Sequence, residues 1–435
     1  MEMKLRSPFP AVLLLAVVVA LLTAGCQSYG GLAPADWEYF DSTLDLETSS
    51  SDSDPGSGKW QIVKAGDIGK VCHLDRERLE EIQDFPEPWM IVRFGKICWT
   101  HPQEESYMSG HSQSWSELFF ENLCRDKSGP ECEKSNNASA TKTLTATMLG
   151  FLNREISCNG GRQILPEDLV NDWINSKNLR KLKEKFGDLD IGAIVDGLGF
   201  LDHDSQISNV LGMVPSGDSN FKYRDALANL LGPIMEVGVL EIPKDRRRFK
   251  DLDALKDFFF RQMGMKESIW SLREKLRGDS YWQMANGWNS SLADMARLGL
   301  LILQEGRWDR RQFVPRNWVK AMVRPPFPQA NCAYGYLTWL NANRHWETLE
   351  CPMPGRENSL VDSAPTVACS PSAGATSSRG LWQANGAGGQ LIIGDDELEM
   401  LLITRNFGSG FVTGDELWNQ VVAAVKKCHV TGGDL

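Results

Sequence analysis

Two clusters of β-rich residues, one near each end of the sequence, bracket a long helical middle, so any fold must close a sheet across a large insertion. The early cluster is Trp89-Met-Ile-Val-Arg-Phe and Ile97-Cys-Trp around a Gly95-Lys96 turn, a hairpin pattern. The late cluster begins with the run Leu381-Trp-Gln-Ala-Asn-Gly-Ala-Gly-Gly-Gln-Leu-Ile-Ile-Gly and continues with Leu398-Glu-Met-Leu-Leu-Ile-Thr404. Asp395-Asp396 forms part of the turn between these two runs. From Pro166 to about Arg324 the pattern is mostly helical, with charged faces such as Asn178-Leu-Arg-Lys-Leu-Lys-Glu-Lys-Phe. The expectation is one discontinuous α/β domain, its α/β part at 60–165 and 325–435, carrying an all-helical insertion at 166–324. A helix is expected around Leu74 to Ile82, a strand at Tyr334-Gly-Tyr-Leu-Thr-Trp-Leu, and a terminal helix from Asp415 to Lys427. A chain of 435 residues exceeds the usual size of one core, so one large domain or two are both allowed.

The residues ahead of this domain are of a different kind. Lys4 and Arg6 precede the apolar run Ala11 to Leu22, too short to span a bilayer comfortably, and small residues follow, so 1–26 has the form of an export signal. Thr23-Ala-Gly-Cys26 resembles a bacterial lipobox, which implies lipidation of Cys26 and a membrane anchor there; an ordinary secretory signal cut nearby is the alternative. Gln27, in place of Asp, implies the outer membrane by the same resemblance. Residues 27–59 read as a flexible linker, because Gly30 to Gly58 is rich in Ser, Asp and Gly and lacks the apolar content to fold. It suits a tether for a domain held off a membrane, and a plain unstructured terminus has the same composition. The net charge of −11, with no basic stripe, excludes nucleic acid as a partner.

Chemistry is suggested by Ser139-Ala-Thr-Lys142, which opens an apolar run with Leu144, Met148, Phe151 and Leu152 at helical spacing. One turn apart on a helix, Ser139 and Lys142 can meet. A serine hydroxyl is a poor nucleophile until a base takes its proton. A lysine serves only when neutral, and at pH 7 roughly one free lysine in a few thousand is. Thr143, Thr145 and Thr147 weaken intrinsic helicity, so packing on more than one side must hold this helix. The tetrad alone is weak, since Ser219-Asn-Phe-Lys222 also fits; that copy follows a Ser-Gly-Asp turn and reads as loop. Gly110-His-Ser-Gln-Ser114 lacks the final glycine and the preceding strand of a nucleophile elbow, which sets Ser112 aside. Ser291 and Asp294 have capping-box spacing and read as structural.

Taken in order, Ser139, Tyr223, the Gly287-Trp-Asn-Ser helix start and the glycine-rich strand give a set that resembles the serine β-lactamase and penicillin-binding protein superfamily. The likeness is nearest to class C-like esterases and peptidases and runs from about Leu74 to Lys427. It implies a mainly antiparallel sheet flanked by helices, and an acyl-enzyme route on an ester or amide with no metal or organic cofactor. Ser139 is then the nucleophile, with Lys142 and Tyr223 sharing proton transfer; a helix-start aromatic packed on the core is the plainer reading of Tyr223. Aligned on Gly388-Gly389, Gln383 takes the position of the family's lysine. Gly386 takes the position whose backbone N–H completes the oxyanion hole with that of Ser139. Two departures follow. Asp225 replaces the asparagine two after the tyrosine, and a carboxylate there favours the lysine's charged form and moves the burden of base to Tyr223. Gln383 removes a cation that suits carboxylate-bearing β-lactam and peptidoglycan substrates, which makes an ester or another amide the better expectation. A binding or structural protein without turnover is the rival reading.

Ten cysteines fit an oxidising compartment. The short-loop pairings are Cys124 with Cys132 and Cys351 with Cys369; Cys72, Cys98, Cys158, Cys332 and Cys428 are unassigned. Asn137-Ala-Ser139 is also an N-glycosylation sequon, and a glycan there would block the site, which favours a bacterial source. The stretch from Asn341 to Gly380, rich in Pro, Ser and Ala, joins the Tyr334 strand to the one bearing Gly386 and is expected to shape the substrate entrance; a surface excursion with no role at the site is the alternative.

Overall fold

The computed structural model describes residues 54–82, 85, 88–101, 136–215, 220–276, 279–340, 381–405 and 412–426. Cys26, Ser112, Ser219, the two short-loop cysteine pairs and the 341–380 stretch lie outside them. In chain order the strands are β1 (Trp89–Arg93), β2 (Lys96–His101), β3 (Ile269–Trp270), β4 (Arg273–Leu276), β5 (Asp279–Trp282), β6 (Trp288–Asn289), β7 (Arg307–Trp308), β8 (Arg311–Gln312), β9 (Trp339–Leu340), β10 (Leu381–Gly386), β11 (Gln390–Asp395) and β12 (Met400–Thr404). The longer or site-bearing helices are α1 (Arg76–Glu80), α2 (Thr141–Cys158), α3 (Asp225–Asn229), α4 (Leu231–Glu241), α5 (Leu252–Met263), α6 (Leu292–Leu303) and α7 (Val412–Ala423).

The main sheet has the order β2-β1-β12-β11-β10-β9, every pair antiparallel. The early hairpin joins the late strands through β1 and β12, with Trp89 opposite Thr404 and Arg93 opposite Met400, which closes the discontinuous sheet. Side chains alternate between two cores, as the period of a strand requires. Met90, Val92, Trp382, Ala384, Ile392, Leu401 and Ile403 face the core that contains α2, α4, α5 and α6. Trp89, Ile91, Leu391, Ile393, Met400 and Leu402 face the opposite core, closed by Leu79 of α1 and by Leu417, Trp418 and Val421 of α7. The result is a mainly antiparallel sheet between helical layers. Cys72 and Cys98 form a disulfide in the second core, and the 26-residue separation corresponds to roughly 3 kcal/mol of loop-closure stabilisation. Cys158 and Cys332 are disulfide-bonded too.

Several elements depart from expectation. Only Trp339–Leu340 of the Tyr334 stretch is strand: Leu337 has φ 51°, and the Gly335 N–H donates to Thr338 O (2.8 Å), so the chain folds back on itself. The terminal helix begins and ends earlier, at Val412 and Ala423. The insertion is not all-helical: its helices alternate with long loops and with the two-stranded ladders β3-β6, β4-β5 and β7-β8. Within the same stretch, α6 lies directly on the main sheet, where a Cβ added to Gly299 would meet Ile392 Cγ2 at 2.8 Å. The end of the expected linker is fastened as well: Arg297 of α6 donates to Gly56 O and Gly58 O, both at 2.6 Å.

Candidate active site

All eighteen residues of α2 are buried, and the threonines that lower its intrinsic helicity bind it to its surroundings. Thr143 donates to Leu337 O (3.0 Å) and Thr145 to Met284 O (2.6 Å), while Thr141 accepts from the Trp288 N–H (3.3 Å). The hydroxyls of Thr143 and Thr145 are thus spent on neighbouring segments, and that of Thr147 donates back to Thr143 O within the helix (2.8 Å). The helix is a fixed mount.

Ser139 sits in the 3-10 turn Ala138–Ala140 that leads into α2, half-buried at its mouth. Ala138, just before it, has φ 45°, in the left-handed region that costs a non-glycine residue roughly 1–3 kcal/mol and persists only where the surroundings over-determine it. Here they do. The Ala138 N–H donates to Asn136 Oδ1 (2.8 Å), the Asn137 N–H to Trp288 O (2.7 Å) and Asn137 Nδ2 to Ser290 Oγ (2.6 Å). Arg405, just past β12, donates to Asn137 Oδ1 (3.2 Å) and to Ser290 O. Burial pushes Arg405 down to about 10, against the pull of Asp294. Burial raises Asp294, on α6, to about 7, although the Ser268 hydroxyl (3.0 Å) and Glu267 N–H (2.9 Å) donate to it and Arg297 lies nearby. Asn137 is fully buried, so the sequon carries a positioning residue rather than a glycan acceptor.

Lys142 reaches back one turn, its Nζ donating to Ser139 Oγ at 2.8 Å. The same Nζ lies 3.3 Å from Ala285 O and 2.7 Å from Asp225 Oδ1 at the start of α3. Ala285 is placed in turn by Asn229, whose Oδ1 accepts the N–H groups of Met284 and Ala285, both at 2.9 Å. Tyr223 meets the lysine with its ring face, 4.5 Å from Nζ to the centroid, a cation–π contact. Its hydroxyl makes no hydrogen bond among the described residues. The ring stacks on Trp339 at 5.3 Å and meets Tyr334 edge-on at 6.0 Å, an aromatic wall beside the lysine. Burial, with Tyr223 and Asp225 nearby, raises Tyr334 well above the usual phenol range.

The end of β10 closes the site from the other side. A Cβ at Gly386 would lie 2.2 Å from Asn137 O, so only glycine lets the strand meet the serine turn. The same strand face carries Trp382 and Ala384 into the core of α2, and Gln383 leaves from the other face, as does Leu381. The structure brings Ser139, Lys142, Tyr223, Asp225 and Gly386 together, and Gln383 pairs with Trp339, whose ring stacks on Tyr223. Gln383 is buried, opposite Trp339, with Oε1 lacking a hydrogen bond. In the second tetrad, residues 220–224 form no helix or strand. Asn229 and Arg405 gave no sequence signal of a role at the site; Ser290 lay in the Gly287-Trp-Asn-Ser motif, and the signal at Asn137, the sequon, pointed elsewhere.

No protein-family model matches the chain, and no curated protein is significantly similar to it. Among solved structures it is similar to a β-lactamase from Mycobacterium bovis, with a TM-score of 0.43 and 13% identity over 80% of this chain and 97% of that one. It is also similar to EstCE1, a hydrolase with promiscuous acyltransferase activity (TM-score 0.42, 11% identity, 83% and 99% covered). A third is a penicillin-binding protein from Bacillus halodurans (TM-score 0.38, 13% identity, 83% and 98% covered).

Proposed function

We propose that the protein is a serine hydrolase that cleaves an ester or amide through an acyl-Ser139 intermediate. The observation that carries this reading is the 2.8 Å contact of Lys142 Nζ with Ser139 Oγ at the mouth of a wholly buried helix, beside a strained Ala138. Strain retained next to a half-exposed hydroxyl is expected where a nucleophile is pre-positioned. In this reading Ser139 attacks the carbonyl, Lys142 takes part in proton transfer, and the backbone at Ser139 and Gly386 faces the developing oxyanion, where one donor contributes roughly 3 to 4 kcal/mol. Water then releases the acyl group.

A second reading is supported by the ion pair itself. Lys142, tied to Asp225 at 2.7 Å, is a fixed cation suited to binding without turnover. Labelling of the purified protein with a fluorophosphonate, followed by peptide mapping, separates the two. Modification at Ser139 is expected; a folded protein that never labels there is a binding protein.

A further inference from the structure

We propose that Asp225 finally accepts the Ser139 proton, with Lys142 as the conductor between them. The proposal rests on the serine-hydrolase reading above. An ammonium has three N–H bonds and no acceptor site. Three acceptors surround Lys142 Nζ: Asp225 Oδ1 at 2.7 Å, Ser139 Oγ at 2.8 Å and Ala285 O at 3.3 Å. A lysine satisfied in this way has no lone pair for the serine proton, and can take it only by releasing another. Of the three acceptors only the carboxylate forms a stable acid, since a peptide carbonyl is a very weak base and the hydroxyl is the donor. The Lys142 side chain is 1% exposed and that of Asp225 55%, so the line runs through a buried lysine to solvent. Tyr223 offers the lysine a ring face, which holds a cation but takes no proton.

The step balances as follows. As Ser139 Oγ bonds the carbonyl carbon, its proton moves to Lys142 Nζ, an Nζ proton moves to Asp225, and the carbonyl π pair passes to oxygen. On collapse the bond to the leaving group breaks, the leaving group takes a proton from Lys142, and Asp225 returns its own. Water then attacks the acyl carbonyl and passes a proton through Lys142 to Asp225; as the Ser139 ester bond breaks, Oγ takes a proton from Lys142 and Asp225 returns its own.

Because Asp225 acts through Lys142, the test needs a readout that a merely structural ion pair does not move. With the full chain and p-nitrophenyl acetate, Asp225→Asn is expected to lower kcat by about a hundredfold or more, with KM little changed, and to slow fluorophosphonate labelling of Ser139 equally. Asp225→Glu should restore part of the rate. Asp225→Asn at or above the wild-type rate overturns the relay, and so does a large loss confined to Tyr223→Phe. If Asp225→Asn loses its cooperative melt, Asp225→Ala with added formate replaces it: rescued labelling supports the relay, and no effect of formate overturns it. A wild type that never labels at Ser139 sinks the hydrolase reading itself, whereas equal labelling of wild type and Asp225→Asn sinks the relay alone.

Discussion

Behind Ser139, Asn137 is fully buried and hydrogen-bonded through its backbone and both side-chain polar atoms; in front of it, Asp225 has 55% of its side chain in solvent. The frame behind is shared with the core, so a change there strains the fold together with the site. The rim in front touches chiefly the lysine. A substitution at Asp225 is therefore expected to act on rate with little effect on stability, and a substitution in the frame to act on both. This coupling is a consequence of dense packing, in which a buried group cannot move without its neighbours.

The frame can be broken most severely at Gly386. Gly386→Ala places a Cβ 2.2 Å from Asn137 O and should cost about 1–3 kcal/mol of stability while displacing the serine turn, so that Ser139 labelling falls with the urea midpoint. A variant that loses labelling at an unchanged midpoint would show that strand and turn are not mechanically joined. A smaller effect is expected from Arg405→Met, which leaves Asn137 Oδ1 and Ser290 O without their buried donor, a loss of about 1–3 kcal/mol. Its kcat should drop while KM stays level; full activity in a destabilised protein would assign Arg405 to the fold alone.

A pH profile sharpens the comparison further. Asp294, raised to about 7 from an ordinary 3.8 by burial, binds its proton more tightly in the folded than in the unfolded chain. Between these values the unfolded state carries fewer protons, so this group's contribution to stability falls as pH rises through the window. Relative to Asp294→Asn, wild type should lose ground in urea midpoint from about pH 4 to about pH 7. Parallel profiles for the two proteins would remove Asp294 as a titrating part of the frame.

Ser139 and Lys142 could be read from sequence because their meeting is a property of one helical turn: three residues apart, they share a face wherever that helix is placed. The early hairpin, the Ser291 cap, whose hydroxyl accepts the Asp294 N–H (3.1 Å), and the two-faced alternation of the sheet are local in the same sense. Arg405 and Asn137 are 268 residues apart, and no periodicity links them. The faces of β10 show the limit most plainly. Counting along β10 from its glycines assigns a position but not a face, and a shift of one residue exchanges every side chain between the two cores. Only the pairing of β10 with β11, and the backbone contact of Gly386 with Asn137, decide which side chains look toward Ser139. Local chemistry and helix geometry come from neighbours in the chain. The proton line through Asp225, the clamp of Arg405 and the parity of β10 depend on which distant surfaces pack together, and that is settled by tertiary structure alone.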